Sequence, residues 1–242
     1  MKNIPLYTQS REAAHQCGEI DFWKESHRAN IACAKAVEQA IRDNFDGMHL
    51  NSDTAKQVIE GFGFDRVNWV LAATMHLKDY DGRFSHQNRD WSNGFFMVTI
   101  REESRAYLVD SHPAVLDGFI NQTRRAWQEL GLYDHTHCLA DSQSMDWGGK
   151  VLALRPTSLR DEYKQADTQI FLCSGGFGAR ADARGRKVYG QFLSDGEQCQ
   201  FDRQDFLGVV KEEHLPEWAL EKLEQIRQPE QEQNLSLEGP SL

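Results

Sequence analysis

The hydrophobic period changes midway along this chain, and that change constrains the fold more than any other feature. In the first half, apolar residues such as Ala29, Cys33 and Val37 recur at helical spacing, which indicates one buried face of a helix. In the second half, short apolar runs and alternating residues indicate strands. The sequence therefore predicts an α+β fold, with a helical N-terminal half that holds a short strand pair and a β-rich C-terminal half with a closing helix.

Start and stop residues locate the individual elements. Ser10 and Gly18 bound a short helix, Ser52 or Asp53 caps another, and Pro113 stands at the first position of a third. The predicted helices cover 10–19, 21–45, 54–63, 65–78, 113–131, 157–165 and 212–227. The predicted strands cover 95–100, 106–110, 150–156, 168–174 and 188–197, with a turn at Asp195–Gly196 leading into 198–206.

A polar loop from Tyr133 to Gly149 separates the two halves. We therefore predict a mainly helical region at 1–142 and a β-rich region with a terminal helix at 143–227. The tail 228–242 is rich in Gln, Glu, Ser and Pro, a composition typical of disorder.

Composition excludes several classes of protein. No apolar run approaches the ~18–20 residues that span a bilayer, and the N-terminus has no apolar signal-peptide core, so we expect a cytoplasmic protein without membrane contact. The five cysteines are widely spaced and form no C-x-x-C pair, which favours buried free thiols over disulfides or a zinc site. The sequence indicates no metal and no cofactor.

Charge is segregated along the chain. The net charge is −10, and an acidic chain repels nucleic acid unless its positive charges are gathered in one place. Segment 175–190 gathers them, because it holds four basic residues and a single carboxylate, Asp182. The acidic end, 217–242, holds six glutamates against Lys222 and Arg227.

The basic segment is also rich in glycine, which raises the question of a phosphate cradle. Lys187 is followed by Val188 rather than Ser or Thr, so a Walker A loop does not fit, and no dinucleotide fingerprint opens a helix here. Two interpretations stay open: a loop that binds phosphate or carboxylate groups of a partner, or a surface loop that pairs with the chain's own carboxylates. The candidate binding residues are Gly175, Gly176, Gly178, Arg180, Arg184, Arg186 and Lys187.

Two polar stretches in the first half contain residue types found in metal-binding or catalytic sites. Segment 78–91 has Asp79 and Asp81, but Arg83 and Asp90 stand where an EF-hand needs a carboxylate or amide and a Glu. A capping and surface loop is favoured there over an acid/base pair. The run Asp110–Ser111–His112 is better explained by capping before Pro113 than by a catalytic triad, whose members seldom are neighbours in sequence.

Two stretches in the second half offer other chemistry. His135 and His137 would lie on one face of a strand beside Cys138, which zinc accepts, but no third ligand follows from the spacing, and a polar loop is preferred. Cys173 ends an apolar strand beside the basic segment, where a nucleophile is one interpretation and a buried structural thiol the favoured one. We assign no catalytic residue.

Several long phrases, among them "HRANIACAKAVEQAI", "KDYDGRFS" and "SHPAVLDGF", point to a family. From about Leu6 to Leu223 the chain resembles an uncharacterised domain family found on conjugative and phage-like mobile elements of anaerobic gut bacteria. The resemblance implies no catalytic residues. It implies a setting among accessory genes that deal with DNA transfer and host defence.

In that setting, an acidic protein with one basic segment suggests a binding role. We expect an accessory protein that inhibits a host nucleoprotein or nuclease, as anti-CRISPR proteins do, with its partner contacted through the basic segment. An enzyme that acts on a phosphate-bearing substrate at this segment and a non-catalytic scaffold of DNA-transfer machinery are the alternatives. The sequence favours a binding protein over an enzyme.

We predict that the tail 228–242 is dispensable for folding. Its aliphatic residues, Leu235 and Leu237, offer too little surface to offset the entropy of ordering the segment. Deleting it should leave the melting temperature nearly unchanged in calorimetry, and a drop of several degrees would contradict the prediction.

Overall fold

The computed structural model describes residues 4–78, 80–95, 102–183 and 185–226. The chain divides into two compact units, 1–129 and 130–242. Helices make up the first unit, and the second holds a five-stranded antiparallel sheet and a closing helix. The α+β fold class is confirmed. The sequence placed the boundary further along, at 142/143, and the tail 228–242 lies outside the described residues.

The first unit is built of α-helices whose starts follow the sequence signals. They are α1 (Arg11–Gln16), α2 (Ile20–Asn44), α3 (Thr54–Phe62), α4 (Phe64–Leu77), α5 (His86–Phe95) and α6 (Pro113–Gln128). Ser10 caps α1, because its Oγ accepts a hydrogen bond from the Ala13 N–H at 3.0 Å. Pro113 occupies the first turn of α6, where its missing N–H costs nothing.

The core of the first unit joins the predicted faces of four helices. Cys33 and Val37 of α2 are fully buried with Leu71 of α4, and the core continues through α3 and α6. The predicted inward residues of α4 are also buried: Val67, Val70, Leu71 and Thr74. The helical spacing that includes Ala29 also places Phe22 on the buried face of α2, and this prediction is wrong, because Phe22 is 67% exposed.

A buried arginine holds the N-terminal segment of the first unit. The Arg66 guanidinium donates to the carbonyls of Ser26, Ile4 and Pro5 at 3.0, 2.7 and 3.1 Å, and to Oδ1 of Asn30. Arginine has five N–H donors in a planar fork, so one side chain can satisfy an irregular strip of backbone.

The strand predicted at 106–110 is wrong. Residues Glu102–Tyr107 form a 3-10 helix, and the extended backbone that follows is held by side chains of α4 instead of a neighbouring strand. The Val109 N–H donates to Thr74 Oγ1 at 3.1 Å, and its carbonyl accepts from Lys78 Nζ at 2.9 Å. Of its predicted partner, 95–100, residues 96–100 lie outside the described residues.

The polar stretch 78–91 contains a helix, α5, where we predicted only a loop. Its start is fixed from α6, because Asp117 Oδ1 accepts from the Ser85 N–H, from Ser85 Oγ and from Asn88 Nδ2 at 2.9, 3.0 and 2.8 Å. Asp117 leaves no trace in the local sequence, but Ser85 does, since its Oγ accepts from the Asn88 N–H at 3.4 Å as an N-cap residue does, and the sequence analysis missed it.

The sheet of the second unit has the order β4-β3-β2-β1-β5, and every neighbouring pair is antiparallel. The strands are β1 (Val151–Leu154), β2 (Ile170–Gly175), β3 (Lys187–Phe192), β4 (Gln198–Asp202) and β5 (Phe206–Val209). β5 was not predicted, because a 3-10 turn at Arg203–Asp205 interrupts the run after β4. The predicted helix at 157–165 is wrong as well: 3-10 turns at Pro156–Ser158 and Asp161–Tyr163 precede a short α7 (Ala166–Gln169).

The two faces of the sheet are covered differently. One face packs Ile170 against Ala219 and Leu223 of the closing helix, α8, at 217–226. The other face buries Trp147 and Phe171 with Phe206 and Val188 in a second core. On the face that α8 packs against, the residues of β3 and β4 at the sheet edge are exposed. They are Lys187, Tyr189, Gln198 and Gln200.

We predict that residues 1–129 fold alone, because they enclose a core of their own. A fragment of this length should show helical circular dichroism and a cooperative thermal transition. The same fragment with Leu71→Asp, which places a charge in that core, is the control and should not melt cooperatively. A fragment 1–129 without a cooperative transition would contradict the prediction.

Candidate binding surface

The glycine-rich basic segment connects β2 to β3, and we call residues 175–187 the basic loop. Gly175 lies where the pairing of β2 with β3 shifts register. Gly176 follows with a φ of 102°, which favours glycine, and leads into a 3-10 helix at Phe177–Ala179. Of the candidate residues, Arg184 lies outside the part of the chain that the structure describes.

Two glycines let the basic loop fold onto the start of β3. A Cβ at Gly178 would lie 2.2 Å from the Arg186 carbonyl oxygen, and one at Gly176 would lie 2.5 Å from the Lys187 oxygen. The same Cβ at Gly176 would be 2.8 Å from Cδ2 of Tyr189, so this ring packs directly on Gly176. Close backbone approach is therefore what these two positions require.

Arg203, which sequence analysis did not single out, holds the basic loop from beneath. It is fully buried, and its Nη1 donates to the carbonyls of Gly178 and Arg180 at 2.7 and 2.5 Å. Its Nη2 donates to the carbonyls of Gln143 and Met145 at 2.8 and 3.1 Å. One guanidinium thus ties the basic loop to the segment before β1.

The Arg203 side chain also packs against the ring of Trp147. The Arg203 guanidinium carbon lies 3.6 Å from the centroid of the indole ring. The backbone N–H of Trp147 donates to the Ala179 carbonyl and its indole N–H to the Ser142 carbonyl, both at 2.7 Å. A cation stacked on an indole is stabilised by the ring quadrupole, most strongly away from water. Burial lowers the pKa of Arg203 from its ordinary value, although an arginine stays protonated at any physiological pH.

Several backbone N–H groups of the basic loop are already used. Ala179 donates to the Gly176 carbonyl, Ala181 to Oδ1 of Asp146, and Asp182 to the Gln143 carbonyl. A phosphate cradle depends on such N–H groups being available to the ligand. These three N–H groups are therefore not available to an anion, for which the exposed side chains of the loop are the better donors.

The basic side chains of the loop differ in their surroundings. Arg180 and Arg186 are exposed, and among residues 175–183 and 185–226 neither has a carboxylate partner in an ion pair. Lys187 forms an ion pair with Asp202 at 3.0 Å. Since a surface pair of this kind contributes only ~0–1 kcal/mol, a polyanion could displace it.

Two exposed aromatic side chains flank these cations and were missed by sequence analysis. Phe177 is 71% exposed, and the Arg180 guanidinium carbon lies 5.5 Å from its ring centroid. Tyr189 is 47% exposed and shares the outward side of β3 with Lys187. The alternation of β3 could have identified Tyr189, whereas Phe177 had no periodic signal because it lies in a 3-10 turn.

The interpretation of Cys173 as a nucleophile is wrong. The thiol is fully buried among the aromatic residues of the sheet, and burial raises its pKa above the ordinary value. A thiol in such surroundings stays protonated at neutral pH and is a poor nucleophile.

The histidines at 135–137 are not arranged on a strand. They lie in a 3-10 helix, where His137 Nδ1 contacts Oδ1 of Asp134 at 2.9 Å and its ring packs 4.9 Å from that of His214. His135 is turned to Arg155, 3.5 Å from its Nη1. Within the described residues, no group of three His, Cys, Asp or Glu side chains is placed to hold a metal ion.

The polar residues of the first unit form a surface network. Arg83 binds both oxygens of Asp81, at 2.8 and 2.6 Å, and lowers the pKa of that carboxyl to about 2. On its other side, Arg83 lies 3.2 Å from Nε2 of His112. His112 is the N-cap residue of α6 but makes no capping bond, so the predicted side-chain cap is wrong at His112.

A polar groove between α3 and α6 was also considered as a site. It has a volume of about 150 Å³ and is lined by charged residues of both signs. Lys56 lies 3.5 Å from Asp53 and 3.7 Å from Glu129, so these charges balance one another. The groove selects for neither an anion nor a cation.

The fold and this surface define a two-unit α+β protein with an exposed basic loop on its sheet unit. The model of DUF3849, a family of proteins of unknown function, matches residues 6–128, and the chain belongs to this family. The match covers half of the chain and ends one residue before the first unit does. The basic loop lies outside it.

No curated protein and no solved structure matches the chain. Among the described residues, no helix has the length and apolar character needed to cross a membrane.

We predict that Gly178→Ala destabilises the sheet unit, because its Cβ would overlap the Arg186 carbonyl. The expected loss is about 1–3 kcal/mol of unfolding free energy, the usual cost of overpacking. Gly148→Ala is the matched control, since a Cβ there meets nothing within 4 Å. Urea denaturation should separate the two variants, and equal midpoints would contradict the packing described here.

Proposed function

We propose that this protein acts by binding, with the basic loop as its contact surface for a polyanionic partner. The observation that carries the proposal is the exposure of Arg180 and Arg186 without carboxylate partners among the described residues. Planar guanidinium groups suit bidentate contact with phosphate and carboxylate oxygens. No other segment of the sequence gathers so much positive charge.

The contacts that hold the described part of the loop backbone support this proposal. Arg203 and the close packing at Gly176 and Gly178 determine the loop's path, so its own arginines are not needed to hold its shape. A surface whose backbone is ordered before binding loses less entropy when the partner arrives.

We further propose a biological setting for this binding. The protein is an accessory protein of a bacterial mobile element, located in the cytoplasm, and it inhibits a nucleoprotein or nuclease of host defence. The charge distribution is in keeping with such a partner, because a nucleoprotein offers both a cationic channel and exposed phosphates. The acidic chain, with its net charge of −10, would face the channel, and the basic loop would contact the phosphates.

We predict that Arg180→Ala with Arg186→Ala weakens binding to polyanions. Heparin and labelled oligonucleotides are suitable probes, with affinity measured by fluorescence anisotropy over a salt series. Each lost phosphate contact should reduce the slope of log K against log salt by about 0.7–0.9, so the double variant should bind less tightly at low salt and respond less to salt.

The matched control removes two exposed arginines elsewhere, Arg28→Ala with Arg160→Ala, and changes the net charge equally. If the control weakens binding as much as the loop variant, net charge rather than the basic loop explains the affinity. For the nucleoprotein partner, the wild-type chain should capture material from a bacterial lysate that nuclease treatment releases, and the loop variant should not.

A further inference from the structure

Two exposed aromatic residues, Phe177 of the basic loop and Tyr189 of β3, are both neighbours of Gly176, the first in sequence and the second by packing. The Tyr189 ring packs on Gly176, and Phe177 is the next residue, so the two aromatic side chains flank one turn of backbone. Together they leave a large apolar area in water, at 71% and 47% exposure. Exposed apolar surface beside polar groups is typical of a binding site.

The basic residues of the loop lie close to these two aromatic residues along the chain. The Arg180 guanidinium lies 5.5 Å from the Phe177 ring centroid, and Lys187 stands two residues before Tyr189 on the same side of β3. Arg186 lies at the backbone that Gly178 packs against. One short stretch of chain, 177–189, therefore supplies two exposed rings and the exposed cations Arg180, Arg186 and Lys187.

Amide side chains extend this surface along the sheet. Gln200 pairs with Tyr189 across β3 and β4, and Gln198 pairs with Gln191, whose Oε1 accepts from Gln198 Nε2 at 2.6 Å. Gln198 and Gln200 are exposed on the face of the sheet against which α8 packs. The helix covers other strands of that face and leaves these two residues in solvent. Amides carry both donors and acceptors, as the edges of nucleobases do.

We infer that the partner chemistry of this surface is single-stranded nucleic acid, with bases stacked on Phe177 and Tyr189 and phosphates bound by Arg180, Arg186 and Lys187. The inference rests on the proposed function, because it takes the basic loop as the phosphate contact. A single strand offers unpaired bases beside its phosphates, and aromatic rings beside cations are how proteins bind it without sequence preference. A duplex keeps its bases stacked inside, and the acidic side chains of a peptide, Asp and Glu, carry no rings of their own.

The test compares Phe177→Ala with Tyr189→Ala in one variant against the wild-type full chain. The probes are oligo(dT) and oligo(U) of about 12 nucleotides, which is within the usual site size, the duplex of the same length and heparin. The aromatic variant should bind both single strands at least about tenfold more weakly, because the loss of each stacked base weakens binding by about that factor. Its heparin affinity should be unchanged. DNA and RNA are distinguished by the ratio of the two single-strand affinities.

Two further variants keep the test decisive. Phe22→Ala with Tyr163→Ala removes two exposed aromatic residues elsewhere and should leave every affinity unchanged. Phe177→Leu with Tyr189→Leu retains apolar side chains without flat rings, so it should also lose single-strand affinity, even if the alanine variant folds poorly.

The outcomes separate this inference from the proposed function. Wild-type binding that is equally tight to the duplex, or aromatic variants that bind single strands as the wild type does, would overturn the stacking inference while heparin binding through Arg180 and Arg186 still stood. A wild-type chain that binds neither heparin nor any oligonucleotide at low salt would overturn both.

Discussion

The sheet unit depends on one buried guanidinium, that of Arg203. Its described hydrogen bonds all go to backbone carbonyls, which come from the segment before β1 and from the basic loop. Neither segment is a strand, so these carbonyls have no sheet partner, and an unpaired buried carbonyl is costly. Removing an arginine from water is costly too, and the cost is offset by the hydrogen bonds of Nη1 and Nη2 and by the ring of Trp147, while the buried Nε has no hydrogen-bond partner among the described residues. The first unit uses Arg66 in the same way to hold residues 4 and 5.

This arrangement has a consequence for the surface above it. A loop of irregular backbone commonly needs its own polar side chains to hold its shape, and those side chains are then occupied. Here Arg203 and the packing at Gly178 hold the backbone from below, so Arg180 and Arg186 remain exposed on a fixed frame. The binding proposal follows from this division of work between a buried cation and exposed ones.

Local signals allowed much of the fold to be predicted, because helix caps and periodicity act within a few residues. Ser10 and Pro113 are examples, because they led to α1 and α6, and alternating residues led to β3. Two of the errors come from side chains that act from a distance. Asp117 starts α5 from another helix, and Thr74 and Lys78 hold the backbone of Val109 in place of a strand.

The candidate surface shows the same limit. Glycine and arginine content marked the basic loop, and strand alternation could have added Tyr189, but no pattern in "DRQD" distinguishes the buried Arg203 from the exposed Arg186. Burial of a charged side chain is decided by which carbonyls the fold brings around it, and this is a property of the whole unit.

The family match and the proposed surface lie in different parts of the chain. The family is defined over residues 6–128, the helical unit, whose polar groups are engaged with one another, as in the Asp81–Arg83–His112 contacts. The exposed cations and aromatic rings on which the binding proposal rests lie in the sheet unit, on the basic loop and β3. The binding proposal is therefore a statement about the second unit, and family membership by itself does not extend it to other proteins. A relative would share it only if its chain also carried a sheet with exposed cations and rings above a buried arginine.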